Sequence, residues 1–95
     1  MPAFAIVATH HLKQGKRGAW AALAAINAVE ARKEQGCLQF DVVLPRDRPD
    51  MGILIERYVD EAAWNWHFEQ SYCRDFMQAI ETMLVDRTRV LCDAV

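Results

Sequence analysis

The sequence has little that would lock a small protein covalently, hold a metal or cradle a nucleotide. Its cysteines number three, Cys37, Cys73 and Cys92, an odd count at wide spacing, which argues against a disulfide framework and against a structural zinc site. A reducing compartment is expected. Glycine is scarce, four residues in 95, and builds neither a phosphate-binding loop nor a dinucleotide fingerprint. No nucleotide, flavin or metal cofactor is therefore expected. The first residues, Met1-Pro2-Ala3-Phe4-Ala5-Ile6-Val7-Ala8, lack a basic leader, and no apolar run approaches the roughly 18 residues of a membrane span. The expectation is a soluble, cytoplasmic chain with no membrane partner. One-sided charge is missing too. Eleven Lys and Arg stand against 13 Asp and Glu, and Arg46, Arg48, Arg87 and Arg89 are interleaved with aspartates rather than gathered into a phosphate-tracking patch. That balance excludes nucleic acid as the expected partner.

What is present is apolar substance and periodicity. Hydrophobic residues make up 53% of the chain and the net charge is -2, the composition of a packed core and not of a disordered segment. A domain of this size buries only about two thirds of its unfolded surface, which leaves room for help from a partner chain. Phe4 to His10 reads as a first strand, ended by Leu12-Lys13-Gln14-Gly15. Lys16 to Glu34 reads as a helix, with Ala19, Ala22, Leu23, Ile26 and Val29 recurring at spacings of three and four along one face. Arg32 and Lys33 suit its negative end, and Gly36 its termination. Cys37 to Leu44 and Gly52 to Val59 read as an antiparallel strand pair across the rigid loop Pro45-Arg46-Asp47-Arg48-Pro49-Asp50. Asp60 caps a second helical segment reaching Leu84, and Asp86 to Val95 closes as a fourth strand.

That second segment contains a conflict. Cys73, Phe76, Ile80 and Leu84 share one face, while His67 points away from its centre if the helix is continuous. A break around Glu69 to Ser71, with Ser71 capping the second half, turns both aromatic faces inward. The order βαββαβ over residues 1–95 predicts one α+β domain of ferredoxin-like type, in which two helices cover one face of a four-stranded antiparallel sheet. The third strand, Ile53-Leu54-Ile55-Glu56-Arg57-Tyr58-Val59, is apolar on both alternating sets. Both faces of the sheet are therefore expected to be covered, the second most simply by another copy packed sheet to sheet.

His67 is the residue best suited to chemistry, because an imidazole takes or gives a proton near neutrality. Trp64, Phe68 and Tyr72 recur every four residues and, with Trp66 and Phe76, could form an aromatic wall for a flat organic ligand. The bland alternative makes them ordinary core and His67 a satisfied or surface histidine. Glu56, set in an apolar strand, must be paired, hydrogen-bonded or held neutral; it is either an acid, base or orienting group, or one half of an ion pair with an arginine. Asp41 poses the same question more weakly. The cysteines have no adjacent base to activate them and read as small hydrophobes. His10 and His11 are adjacent on a strand, point to opposite faces and cannot share a metal ion by local geometry.

Glu34-Gln35-Gly36-Cys37-Leu38-Gln39-Phe40-Asp41-Val42, followed by Ile55-Glu56-Arg57-Tyr58-Val59-Asp60-Glu61-Ala62-Ala63 and then His67, resembles the antibiotic biosynthesis monooxygenase domain family across essentially the whole chain. The resemblance implies ferredoxin-like chains that pair into a dimeric α+β barrel. It implies several activities: metal- and flavin-free oxygenases of polyketide phenols, quinone-related oxidoreductases, signal-molecule isomerases and haem-degrading enzymes. Haem degradation is disfavoured, because His67 stands where those relatives place a tryptophan and the first strand has no asparagine. Many relatives carry a second histidine five residues after the first, and Tyr72 stands there. The implied reading is a cofactor-independent monooxygenase for a small aromatic, phenol-, quinol- or quinone-like substrate. His67 would be the proton acceptor, with Glu56, Trp64, Phe68, Tyr72, Phe40 and Phe76 binding substrate. The alternatives are a non-oxidative isomerase on the same scaffold and a non-catalytic dimer that binds a small ligand.

Overall fold

Burial alternates along the two central strands, and that alternation decides which side chains meet the helices. The computed structural model describes residues 2–95. Its elements are β1 (Ala3–Leu12), α1 (Arg17–Ala31), β2 (Cys37–Val43), β3 (Met51–Tyr58), α2 (Glu61–Phe68), α3 (Ser71–Ile80) and β4 (Leu84–Ala94), with a short 3-10 turn, Glu81–Met83, leading into β4. The four strands lie in the order β2-β3-β1-β4, and every neighbouring pair is antiparallel. This is the ferredoxin-like arrangement expected from the element order. Ile6, Ala8, His10 and Leu12 of β1 and Gly52, Leu54, Glu56 and Tyr58 of β3 turn toward the helices and are buried. Ala5, Val7, Thr9, Ile53 and Ile55 alternate to the other face, which no helix of the described residues covers.

Loop contacts hold the ends together. Arg17 donates from Nη1 to the backbone carbonyls of Pro45 and Arg48, 2.9 Å each, tying α1 to the β2–β3 loop. Arg32 Nε donates to the carbonyl of Phe40 at 3.0 Å and ties the end of α1 to β2. The break in the second helical segment lies where the conflict placed it, since α2 ends at Phe68 and α3 begins at Ser71. Ser71 is not the cap, however. Gln70 occupies the N-cap position and its side chain bonds to the carbonyl of Trp66 instead, at 2.9 Å. β4 starts two residues earlier than expected because the 3-10 turn delivers Leu84 straight into register with Leu12.

The buried face of α1 differs from the expected one. Ile26 and Val29 are 65% and 51% exposed, whereas Trp20, Ala24, Asn27, Ala28 and Ala31 are buried. Small residues win the contact because a stripe of alanines lets the helix axis approach the sheet closely, with only Trp20 filling the gap at one end. The indole is fully buried, its ring centroid 4.9 Å from that of His10, and it lies across Gly52. Burying a side chain of that size removes on the order of 200 Å² from water, worth about 5 kcal/mol at the usual coefficient. A Cβ at position 52 would run into Cζ3 of the Trp20 ring, so this strand position has room for hydrogen only.

Two measurements check this packing. Gly52→Ala is expected to destabilise the fold by about 3 kcal/mol through overpacking, read as a lower urea midpoint at unchanged slope. His10 supplies a pH signature. Burial, reinforced by Arg87, lowers its pKa from 6.5 to about 4. The folded chain thus resists the proton more than the unfolded chain does, so this contribution to stability is complete above about pH 6.5 and is lost as the pH falls toward 4. His10→Phe, which keeps a ring against Trp20, is expected to reduce the stability lost between pH 7 and pH 4.5 by on the order of 2 kcal/mol relative to the parent chain.

Candidate active site

A close approach between two chain segments brings the acid and base of the site together. A Cβ at Gly36 would meet the Cβ of Ala63 at 2.6 Å, so glycine at this position lets the first turn of α2 settle on the link between α1 and β2. Val59 N donates to the Gly36 carbonyl at 2.9 Å, and Asp60 caps α2 by accepting from Ala63 N at 2.8 Å. One helical stretch further, in the last turn of α2, His67 points inward and is 2% exposed. Its Nδ1 donates to Glu34 Oε2 at 2.6 Å, and Glu34 is itself buried.

Tyr72, on the first turn of α3, donates its hydroxyl to the same Glu34 oxygen. One carboxylate oxygen therefore receives two donors from the two sides of the helix break. A bond from Nδ1 to a carboxylate favours the tautomer with its proton on Nδ1 and turns Nε2 away from Glu34. Nε2 has no hydrogen-bond partner among the described residues. Around the ring stand Phe40, Tyr58, Phe68 and Tyr72, with centroids 5.6, 5.9, 5.8 and 6.1 Å away.

His67 lines a cavity of about 20 Å³ shared with Glu56, His10, Asn27, Phe40 and Phe76, enough for about one water molecule. Its less buried wall is formed by Phe68, Met77 and Arg89, which marks that side as the mouth. Among the described residues Glu56 forms no ion pair with an arginine. Its Oε1 accepts from the Tyr58 hydroxyl at 2.8 Å, and burial raises its pKa above the usual carboxylate range despite that bond. Burial and the nearby Glu56 likewise push the Tyr58 hydroxyl up, and burial and Glu34 push Tyr72 up. Asn27 Oδ1 and His10 Nδ1 are buried without partners, so the cavity wall holds polar atoms that an occupant could satisfy.

The residues singled out in the sequence fall in several places. His67, Glu56, Phe40, Phe68 and Phe76 meet at the cavity. Tyr72 lies behind His67, on the Glu34 side, and Trp64 packs on Phe4 and Phe68 at 5.3 and 4.9 Å without lining the cavity. Asp41 sits on the open face and accepts from Gln39 Nε2 at 2.7 Å. Cys37 and Cys73 remain thiols, their pKa values raised by burial to about 11 and about 12, and all three cysteines are free. His10 is buried on the helix side while His11 faces the other way, 3.8 Å from Asp86. Among the described residues no group of three or more His, Cys, Asp or Glu side chains could hold a metal ion, and no helix is long and apolar enough to cross a membrane.

Sequence reasoning missed the role of Glu34. One signal was available: a carboxylate just past the C-terminal end of a helix opposes the helix dipole, and such a local conflict is expected chiefly where function requires it. Asn27 offered a similar signal as a polar residue inside an alanine stripe. Arg89 and Tyr58 offered none, because their approach to His67 depends on strand register.

The geometry can be set beside known proteins. Protein PA3566 from Pseudomonas aeruginosa superimposes with a TM-score of 0.93 at 22% identity, over 100% of this chain and 96% of that one. Protein SO0527 from Shewanella oneidensis gives 0.89 at 25% identity, over 96% and 89%. A structure named as an antibiotic biosynthesis monooxygenase gives 0.89 at 25% identity, over 97% and 98%. A search of curated proteins finds no match. Residues 3–79 match the family described as antibiotic biosynthesis monooxygenase, and on a match spanning that much of its length the chain belongs to this family.

Proposed function

We propose that the chain is a cofactor-independent monooxygenase acting on a small phenol- or quinol-like aromatic, with His67 as the base. The observation that carries this reading is the buried hydrogen bond from His67 Nδ1 to Glu34 at 2.6 Å, which presents Nε2 toward an aromatic-lined cavity. A carboxylate behind an imidazole holds the ring in one tautomer and stabilises the cation formed when it takes a proton. Nε2 removes the phenolic proton, and the phenolate's ring carbon para to oxygen gives electrons to dioxygen, forming a C–O bond and a hydroperoxide. Loss of water, carrying off the hydrogen on that carbon, leaves the quinone. One phenol and one dioxygen thus become one quinone and one water. The protein supplies proton removal, a dry site and orientation.

A cavity of about 20 Å³ is far below the roughly 300 Å³ at which small-molecule sites begin. Substrate therefore enters by displacing the mouth residues Phe68, Met77 and Arg89, of which Phe68 ends α2 at the helix break. Glu56 supports a second reading. A carboxyl whose pKa is raised, opposite a histidine base, is an acid–base pair suited to an isomerase that consumes no oxygen.

We also place a second copy of the chain on the open sheet face. Val7 pairs with Ile55 on one side and Val90 on the other, and Thr9 pairs with Ile53 and Thr88. Val7 and Val90 are 36% and 59% exposed in the single chain, a contiguous apolar surface of the kind that marks an interface. Three free cysteines fit a reducing compartment, and we place the protein in the cytoplasm.

His67→Ala is expected to lower kcat/KM for an accepted phenol by about 10²- to 10⁴-fold, and Glu34→Gln by about 10- to 100-fold, followed with an oxygen electrode. Unchanged turnover in His67→Ala removes it as the base, and turnover without oxygen uptake selects the isomerase. Val7→Glu is expected to convert a dimer into a monomer in sedimentation at micromolar concentration; a parent chain that already sediments as a monomer contradicts the interface.

A further inference from the structure

β4 sets two arginines on the helix side of the sheet, Arg87 beside His10 and Arg89 beside Ala8. Neither forms an ion pair among the described residues. Arg87 Nη1 reaches Met77 Sδ at 3.5 Å, Arg89 Nη2 reaches the same sulfur at 3.9 Å, and the Arg89 guanidinium stands 5.3 Å from the centre of the Phe68 ring. A thioether is a poor acceptor, so one sulfur shared between two cations, Arg87 half-buried and Arg89 exposed, satisfies them poorly. Burial and the neighbouring Arg89 both weaken the hold of Arg87 on its proton. Glu56 is close enough to feel Arg89, but it bonds to Tyr58 instead.

The place matters as much as the charge. Arg89 lines the same cavity as His67 and Glu56. A guanidinium fork matches a carboxylate in a planar, two-point fashion, and a charge-assisted pair of this kind is about twice as strong as a neutral hydrogen bond. The adjacent Phe68 offers a ring face or edge to an aromatic body.

We propose that the substrate carries a carboxylate, seated on Arg87 and Arg89 at the mouth of the cavity, with its ring beside Phe68 and its reactive hydroxyl directed to His67. The chemical class is a hydroxylated aromatic acid. The hydroxyl's position rests on the reading of His67 as base, whereas the carboxylate seat rests on β4 alone. An anion there would neutralise the two guanidiniums and draw them off Met77, which also opens the wall that substrate must displace.

The test compares two probes that differ only in the carboxylate, 2,5-dihydroxybenzoate and hydroquinone, titrated anaerobically into the full chain so that binding is read without turnover. The acid is expected to bind at least about tenfold tighter than hydroquinone. Arg87→Gln/Arg89→Gln abolishes that preference, and Arg89→Lys, which keeps the charge but loses the fork, retains part of it. His67→Ala keeps the preference even where oxygen uptake is lost, so the seat and the base fail separately. Equal affinities for the two probes, no binding of either, or a preference that survives in the double glutamine variant overturns the proposal. So does a double variant that loses self-association while its preference persists, because the arginines then serve a carboxylate of a second copy.

Discussion

The hydrogen bond between Glu34 and His67 is the constraint on which the rest of the site depends. Its partners are 33 residues apart, one just past α1 and the other at the end of α2, and both are buried. Burying such a pair is weak as a source of stability, because the desolvation of two ionisable groups offsets most of their attraction, while removing one partner leaves the other stranded. Apolar side chains of similar volume would hold these helices together equally well. The pair is therefore best understood through what it does to the imidazole: it fixes the ring plane, commits the proton to Nδ1 and turns Nε2 toward the cavity.

Several features of the fold exist in service of that geometry. Gly36 allows α2 to reach the chain beside Glu34. The break after Phe68 lets His67 and the Cys73–Phe76–Ile80 face both turn inward, and it places Tyr72 where its hydroxyl supports the same carboxylate oxygen. On the other side of the ring, Glu56 and His10 share a cavity wall but are pushed in ways that suppress charge, the carboxyl upward and the imidazole downward. Both shifts disfavour charge beside the cavity, while Arg89 stands at its mouth. An anion approaching from that side meets attraction first and the base second.

Much of this was legible in the residues. The alternation of β1 and β3, the loop from Pro45 to Asp50 and the helix break each follow from local pattern, and the family that the residues resemble is the one matched over residues 3–79. The buried face of α1 was not legible, because counting bulky apolar residues favours Ile26 and Val29, whereas close packing on a sheet favours Ala24, Ala28 and Ala31 with one large ring over Gly52. His67 was legible as a candidate by its chemistry. Glu34 and Tyr72 as its partners were not, since the bond that joins them to it is set by how three segments dock. Arg89 could be placed beside His67 only once the pairing of β4 with β1 was known.

The most direct measurement is of the tautomer and hydrogen bonding of the His67 ring, by nitrogen-15 NMR of the imidazole in the full chain and in Glu34→Gln. A proton on Nδ1, shifted far downfield and protected from exchange, is the expected result, with loss of that downfield signal in the variant. A ring protonated on Nε2 in the parent chain, or a signal unchanged by Glu34→Gln, would contradict it.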